Sequence, residues 1–489
     1  MLTKLEIEGL KAFADRTSVE LAPITLVFGD NSAGKSSLLQ SLLVAQQTIC
    51  SARDGRLRTS GHDFDLGGFT NLVHAHDCDR LLVIGCTVTG GRDFRDESTS
   101  HSIVMNFRAG DHSTADVDEL RLSWHGGRTT TGLVFRPIEA RRSERERQYD
   151  VGNGDWSPEL LEWLKVVLGP RLAGRQRAAA SAAWRTCREA AIAVARLDET
   201  AEEWDGFTEQ EIERALGLIR PRFSAQSGSW LPRGVTADSL PRGSEATAVA
   251  AVVAALEAVI GQAHERLQDE LGRVVHLGPA REIPQRVTLL RDASPEIGRL
   301  VHDAALLDRV NKYLRHLEIP YDLVPALLGR GDALLEDAIA LRLIDHRYQT
   351  ALTVNLRDVG VGISQLLPVV VSAVTNPFGA VFIEQPELHV HPGLQAKLGD
   401  VLVSESATTQ FVVETHSEHL MLRLLRYVRT GRISADDIAV LYVHHNEHGA
   451  GASVRRIEID DAGEFVQRWP GGFFTERETE LFAGEAPFA

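Results

Sequence analysis

The chain has 489 residues, 52 Lys plus Arg against 68 Asp plus Glu, and a formal charge of −16; that balance excludes a generally basic nucleic-acid coat protein while leaving a local basic groove open. Hydrophobic residues make up 43% and charged residues 25%, the proportions of a globular protein with a sizeable core and not of a disordered chain. More than one structural unit is expected at this length, about three from the usual domain size.

The most continuous apolar stretch, residues 248–256, gives way at once to Glu257, so no segment is expected to span a bilayer as a helix. The opening MLTKLEIEGL lacks the apolar core and small-residue cleavage site of an export signal. Cys50, Cys78, Cys86 and Cys187 have no C-x-x-C spacing and are too few for a disulfide scaffold; a reducing cytoplasm is the expected compartment, with no membrane partner.

In chain order, LEIEGL, TSVEL and ITLVF read as short strands broken at turn residues such as Asp15 and Pro23. ITLVF runs into GDNSAGKSS and then into an apolar-periodic helix carrying Leu38, Leu39, Leu42 and Leu43. Further strands are expected over residues 81–88, 101–107, 119–124 and 132–135. From about 140 to 270 the composition shifts to Ala, Arg and Glu, which predicts helices near 158–168, 174–197, 209–219 and 245–271, with a Pro-, Gly- and Ser-rich loop over 221–243. None of these helices exceeds roughly 40 Å at the standard rise, and no heptad repeat persists, which excludes long coiled-coil arms. After VVHLGPAREIPQR the alternation of strands and helices resumes. AVFIE (380–384) and FVVET (411–415) are apolar enough for a central parallel sheet buried on both faces. Four regions follow: a lobe with the glycine loop (1–140), a mostly helical insertion (141–270), a second α/β lobe (271–430) and an extension (431–489).

Gly29-Asp30-Asn31-Ser32-Ala33-Gly34-Lys35-Ser36 fits G-x-x-x-x-G-K-[ST] between a strand and a helix. Such a loop turns the amides of Gly29, Asn31, Ser32 and Gly34 inward around phosphates, and the helix start that follows, with Ser36 and Ser37 in its first turn, adds a favourable field for an anion. Lys35 would reach the β and γ phosphates and the Ser36 hydroxyl would ligate Mg²⁺, so ATP and Mg²⁺ are the expected ligands. An acidic partner at a neighbouring strand end is needed on the metal side, and Glu384 supplies it. The next position, where many ATPases place a general base, holds Gln385. A carboxamide orients water but cannot accept its proton, and losing a base costs about 10²- to 10⁴-fold in rate. Glu387 is a candidate substitute, with a turn or helix-start carboxylate as its plainer reading. DVGVGISQ precedes an apolar helix, where Ser364 and the glycine amides form either a second anion-binding helix start or a plain cap. FVVETHS ends in His416, either a sensor of the γ phosphate or a structural residue.

These segments together resemble the ABC-type ATPases of the SMC, RecF and OLD (overcoming lysogenization defect) group, with GDNSAGKSS as the Walker A loop, VGVGISQ as the signature, FIEQPELHVHP as Walker B plus D-loop and ETHSEHL as the switch-histidine segment. The resemblance covers roughly residues 1–110 and 275–430. DLGGFTNLVH, HLGPAREIPQR and WPGGFFTERETELF look like a bacterial OLD-like branch often met beside phage-defence genes. It implies an α/β, ABC-type P-loop ATPase head with a mostly helical insertion. It also implies a head-to-tail homodimer or higher homo-oligomer, each nucleotide lying between one subunit's Walker A loop and the other's signature. On the same resemblance Lys35 and Ser36 belong to Walker A, Glu384 is the Walker B acid, Ser364 the signature serine acting across the dimer, and His416 the switch histidine. Gln385 departs from the usual second Glu, which implies slow turnover. OLD-type nucleases add a Toprim domain, for which the 73 residues after His416 are too few. Asp460-Asp461 therefore reads as a turn, and effector activity, a nuclease or toxin, is expected in a separate protein.

Other clusters carry less chemistry. His444, His445 and His448 near Glu447, and His74, His76 and Cys78, lack a complete zinc spacing. His389 and His391 fall in the D-loop of the resemblance. Arg281 and Arg286 suit either a phosphate or nucleic acid, or a salt-bridged surface. The run 141–147 alternates Arg with Glu and reads as a solvated face. The leading function is an ATP-driven dimer switch controlling a separate effector in phage defence. A RecF-like DNA-maintenance clamp is the rival, to be recognised by salt-dependent binding of duplex DNA, and a near-inactive ATP sensor is the third reading.

Overall fold

The computed structural model describes residues 1–51, 56–61, 64–89, 100–110, 114–126, 129–137, 148–151, 157–169, 187, 190–191, 206–219, 222–224, 234–235, 246–281, 285–328, 338–348, 350, 352–446 and 451–470. Two units result. One takes in Met1–Glu20, Ser37–Gly272 and Glu447–Ala452, the other Leu21–Ser36, Arg273–Asn446 and Ser453–Ala489.

The first unit is built on a nine-stranded antiparallel sheet. Its order is Gly234–Val235, Arg222–Ser224, Gln148–Val151, Thr129–Pro137, Ala115–Gly126, His101–Ala109, Leu82–Val88, Leu2–Glu8, Thr17–Glu20. Alternation drives it: in His101–Ala109 every second residue is buried, so Ile103, Met105 and Phe107 share one face. The helix Ala246–Gly272 lies against the central strands and against helices Pro158–Leu168 and Glu209–Leu218. Caps mark the shorter helices, Ser157 on the Leu160 amide and a full capping box between Thr208 and Glu211.

Two expectations change here. Residues 221–243 contain two short strands, Gly234–Val235 at the edge of the sheet and Arg222–Ser224 next to it, the rest of that stretch lying outside the described residues. The helix Ala246–Gly272 is long and apolar enough to cross a membrane by length and composition, against the expectation that no segment is. Glu257 ends the unbroken apolar run, but one charge in eighteen residues barely lowers mean hydropathy. In this structure Val249, Val252, Leu256, Val259, Ile260, Ala263 and Leu267 form the buried stripe of a core helix. At 27 residues it reaches about 40 Å. The helix expected over 174–197 lies outside the described residues except for helical positions 187 and 190–191, as does all of 141–147.

The second unit holds a six-stranded sheet in the order Val274–Leu277, Ala380–Glu384, Gln410–Glu414, Ile24–Gly29, Ile438–His445, Ala452–Ile457, and its first five strands run parallel. Ile24–Gly29, Ala380–Glu384 and Gln410–Glu414 are buried at every residue, as strands covered on both faces must be. Helices Ala304–His316, Val361–Thr375, Pro392–Glu405 and Glu418–Arg429 contribute to one apolar core with this sheet. Two buried carboxylates of Pro392–Glu405 tie the neighbouring helices down. Asp400 accepts from His316, Arg423 and Tyr427, and Glu405 from Arg309 and Tyr313. A small antiparallel sheet, Thr288–Leu289, Ala338–Asp345 and Tyr321–Leu328 with Leu352–Asn355 beside Ala338–Asp345, completes the unit.

A phosphate-type loop between a buried parallel strand and a helix makes this a mixed α/β P-loop fold. Parallel direction has a consequence for function: Gly29, Glu384 and Glu414 all end their strands at the same edge, where ligands of such sheets bind.

Candidate nucleotide-binding site

The loop after Ile24–Gly29 takes its shape from residues that tolerate unusual backbone. Gly29 has φ +143°, and a Cβ there would lie 2.0 Å from the Val443 carbonyl oxygen; only glycine fits. Ser32 and Gly34 also have positive φ, 61° and 109°. Asn31 and Ser32 are exposed, while Ala33 and Ser37 are buried. From behind, the Tyr442 hydroxyl donates to Asp30 Oδ1 at 3.0 Å, and burial together with that carboxylate pushes the phenol up to about 12. Lys35 is 5% exposed, its ammonium donating to the carbonyls of Gly29 at 3.0 Å and Asp30 at 2.8 Å. Burial lowers its pKa, and Glu414, Asp30 and Glu387 oppose the shift.

Lys35 opens the helix Lys35–Ser51, and the hydroxyl of the next residue, Ser36, donates to Glu414 Oε2 at 2.8 Å. Glu414 was not legible as a site residue from the chain alone. It stands opposite Glu384 in parallel register on one side and opposite Val27 on the other. Glu384 in turn meets His276 Nε2 at 2.9 Å. Burial, Glu384 and Glu387 raise the Glu414 pKa, against the Ser36 hydrogen bond and Lys35. Carboxylates this crowded favour a cation among them.

The donor set fits Mg²⁺. Ser36, Glu384 and Glu414 offer a hydroxyl and two carboxylates, the hard oxygen ligands that this ion takes. Among the described residues no three His, Cys, Asp or Glu are placed to hold a metal by themselves; a Mg²⁺ site needs only one or two carboxylates when phosphate oxygens and water complete it. Burial and the neighbouring carboxylates raise the Glu414 pKa, so its charge is costly to hold without a cation beside it. Glu414→Gln is therefore expected to raise the melting temperature of the nucleotide-free chain while weakening Mg²⁺-dependent ATP binding about tenfold or more. Thermal melting with and without Mg²⁺-ATP checks both signs, and a variant less stable alone yet equally stabilised by nucleotide would remove Glu414 from the site.

Gln385 follows Glu384 at φ 44°, with its amide donating to the Glu414 carbonyl at 2.8 Å. His389, at φ 61°, is a second left-handed non-glycine residue in the same turn, a conformation that persists only where surroundings enforce it. Glu387 supplies part of that enforcement, accepting from the Thr415 hydroxyl at 2.8 Å and the His416 amide at 2.6 Å. Its plainer reading, a turn carboxylate, matches these bonds. His416 is half-buried beside them, and burial followed by the Lys35 charge lowers its pKa, Glu387 opposing. His391 caps Pro392–Glu405 by accepting from the Gly393 amide.

Ser364 is not on the rim of its helix. Val361–Thr375 starts at Gly360, and Val361 is 49% exposed, whereas Ser364 is 1% exposed and donates to the Leu356 carbonyl at 3.0 Å. Gly362 must be glycine because a Cβ would lie 2.5 Å from the His389 carbonyl oxygen. Arg286 forms a two-bond exposed pair with Asp358, a surface role. Arg281 is buried instead, which corrects its surface alternative. His74 and His76 each spend Nδ1 on a main-chain carbonyl, Lys11 and Thr70; His448 lies outside the described residues. Asp460 shapes a turn, its carbonyl and carboxylate accepting from the Gly463 and Glu464 amides.

Residues 4–70 match a family described as "AAA domain", residues 277–422 one described as "AAA domain, putative AbiEii toxin, Type IV TA system", and residues 433–483 one described as "Protein of unknown function (DUF3696)". No curated protein matches the chain. Among solved structures the chain is similar to the SMC head domain from Thermotoga maritima at 10% identity, covering 94% of this chain and 99% of that one, with a TM-score of 0.36. It is also similar to an Smc head domain with an extended coiled coil bound to the C-terminal domain of ScpA, derived from Pyrococcus furiosus, at 11% identity over 94% and 96%, TM-score 0.41. The two AAA matches take in Lys35 on one side and Glu384, Gln385 and His416 on the other, and support an ATPase of the P-loop group.

Proposed function

We propose that the chain is an ATP-binding, slowly ATP-hydrolysing switch that acts as a homodimer or higher homo-oligomer in the cytoplasm and controls a separate effector protein, a nuclease or toxin, in antiviral defence. The observation that carries this reading is the meeting of Lys35 and Ser36 with Glu384 and Glu414 at adjacent strand ends, through the 2.8 Å Ser36–Glu414 bond. Mg²⁺ held by Ser36, Glu384 and Glu414 would supply charge neutralisation for the phosphates. The loop amides cradle the phosphate oxygens and Lys35 exchanges its carbonyl partners for them. Gln385 orients water without taking its proton, which makes turnover slow, and His416, kept neutral, can meet a phosphate oxygen as a donor.

A long-lived ATP state can hold a partner in one conformation until hydrolysis releases it. For the dimer, the exposed amides of Gly360 and Val361 are the surface offered to a second subunit's phosphate, while Ser364 holds that segment from behind. The defence setting is supported by the description of the family matched over 277–422, which names a toxin of a TA system. Affinity capture of the chain from its native host with Mg²⁺-ATP, run beside a Lys35→Ala copy, tests effector control. A nuclease or toxin retained by the first and not by the second is expected; an identical set on both would contradict it.

A further inference from the structure

Arg281 is bonded to two parts of the second unit that lie 84 and 103 residues further along the chain. The strand Val274–Leu277 pairs with Ala380–Glu384 only as far as Leu277 opposite Ile383. The Glu384 carbonyl thus lies one residue beyond the pairing, and Arg281 Nη2 donates to it at 2.6 Å. The main chain of Arg281 is held from the other side. Its amide donates to Gln365 Oε1 at 3.1 Å, and Gln365 Nε2 donates back to the Arg281 carbonyl at 2.7 Å. Gln365 belongs to the first turns of Val361–Thr375, beside the fixed Ser364.

A guanidinium is an expensive group for these bonds. Arg281 is 8% exposed, burial pushes its pKa down to about 10 against Glu387 and Glu384, and its Nε has no hydrogen-bond partner among the described residues. It makes no direct ion pair among the described residues, so burial goes uncompensated by a contacting carboxylate. A neutral side chain could fill the volume at lower cost, but the guanidinium holds two carbonyls at once, that of Glu384 at 2.6 Å and that of Gln365 at 3.4 Å. What only a long, rigid, multiply donating group achieves is to fix the strand end and the helix start with respect to each other.

We propose that Arg281 is a positioning residue that couples the Glu384–Gln385 end of the nucleotide site to the exposed helix start at Gly360 and Val361, so that nucleotide occupancy sets how that start is presented. This rests on the ATPase reading above. The coupling is carried by a contiguous chain of bonds, from Glu384 to Arg281 to Gln365, and not by proximity alone.

The test combines hydrogen exchange of the segment 358–367, with and without Mg²⁺-ATP, with ATP affinity and turnover. In the wild type ATP is expected to slow exchange in that segment. Arg281→Gln is expected to keep ATP affinity within about threefold, to lose the exchange response and to lower turnover about 10²-fold, the usual effect of displacing a reacting geometry by an ångström. Gln365→Ala keeps the guanidinium and cuts its main-chain anchor, and should lose the same response; should Arg281→Gln not fold, this variant decides by the same readings. Wild-type exchange response and turnover in these variants would overturn the coupling alone. Absence of ATP binding by the wild type would overturn the ATPase reading beneath it.

Discussion

Lys35→Ala is expected to abolish measurable ATP binding, with affinity falling by roughly 30- to 5,000-fold. The ammonium is almost wholly buried, and the carbonyls of Gly29 and Asp30 hold it at the mouth of the loop. Charge-assisted contacts to a desolvated anion cost about 2–5 kcal/mol when one partner is cut away, which sets that range. Two opposing effects act on the free chain. Removing Lys35 takes one donor from each of two carbonyls, that of Asp30 keeping the Ala33 amide, yet it also removes a cation whose charged form burial disfavours, so the melting temperature should move little. Titration calorimetry with Mg²⁺-ATP on both proteins separates lost binding from lost folding. Unchanged affinity would remove the phosphate loop from the site.

Gln385→Glu is expected to raise turnover, by at most about 10²- to 10⁴-fold, the worth of a positioned base. The backbone at this position is already set by its φ of 44° and by the bond to the Glu414 carbonyl, so a carboxylate of the same shape enters without rearrangement. Its gain is bounded by crowding: Glu384, Glu387 and Glu414 stand close enough that a further negative charge is costly until a cation and Lys35 offset it. Glu384→Gln is the control and should lower activity in either background. Phosphate release at saturating ATP reads all three. Rapid wild-type turnover that drops in Gln385→Glu would place water activation on another residue.

Much of this was legible in the chain because it is local. An apolar strand, a glycine loop and a helix with leucines at helical spacing follow one another in sequence, and Ile24–Gly29 with Lys35–Ser51 realise them. Glu414 was missed because its role depends on strand order and register, which no local pattern carries; the signal available was that AVFIE and FVVE both end an apolar run with a Glu. Helical phase decides Ser364. It stands three and seven residues before Leu367 and Val371, on the buried face of its helix, so its place near a helix start did not make it accessible. Arg222–Ser224 and Gly234–Val235 are too short to show a period of two. Glu257 breaks the longest apolar run of Ala246–Gly272, yet a single charge leaves an eighteen-residue stretch of this helix apolar on average, so run length understates it.

The central claim, that nucleotide at the Lys35–Glu384–Glu414 site drives assembly of this chain with itself, is tested most directly by the mass of the particle in solution. Multi-angle light scattering of the wild type, in Mg²⁺ alone and in Mg²⁺ with ATP, should give a mass at least doubled by ATP. The larger species should decay slowly as phosphate is released, and Lys35→Ala should stay at the nucleotide-free mass throughout. A wild type whose mass is the same with and without ATP, while calorimetry reports the nucleotide bound, would contradict the switch.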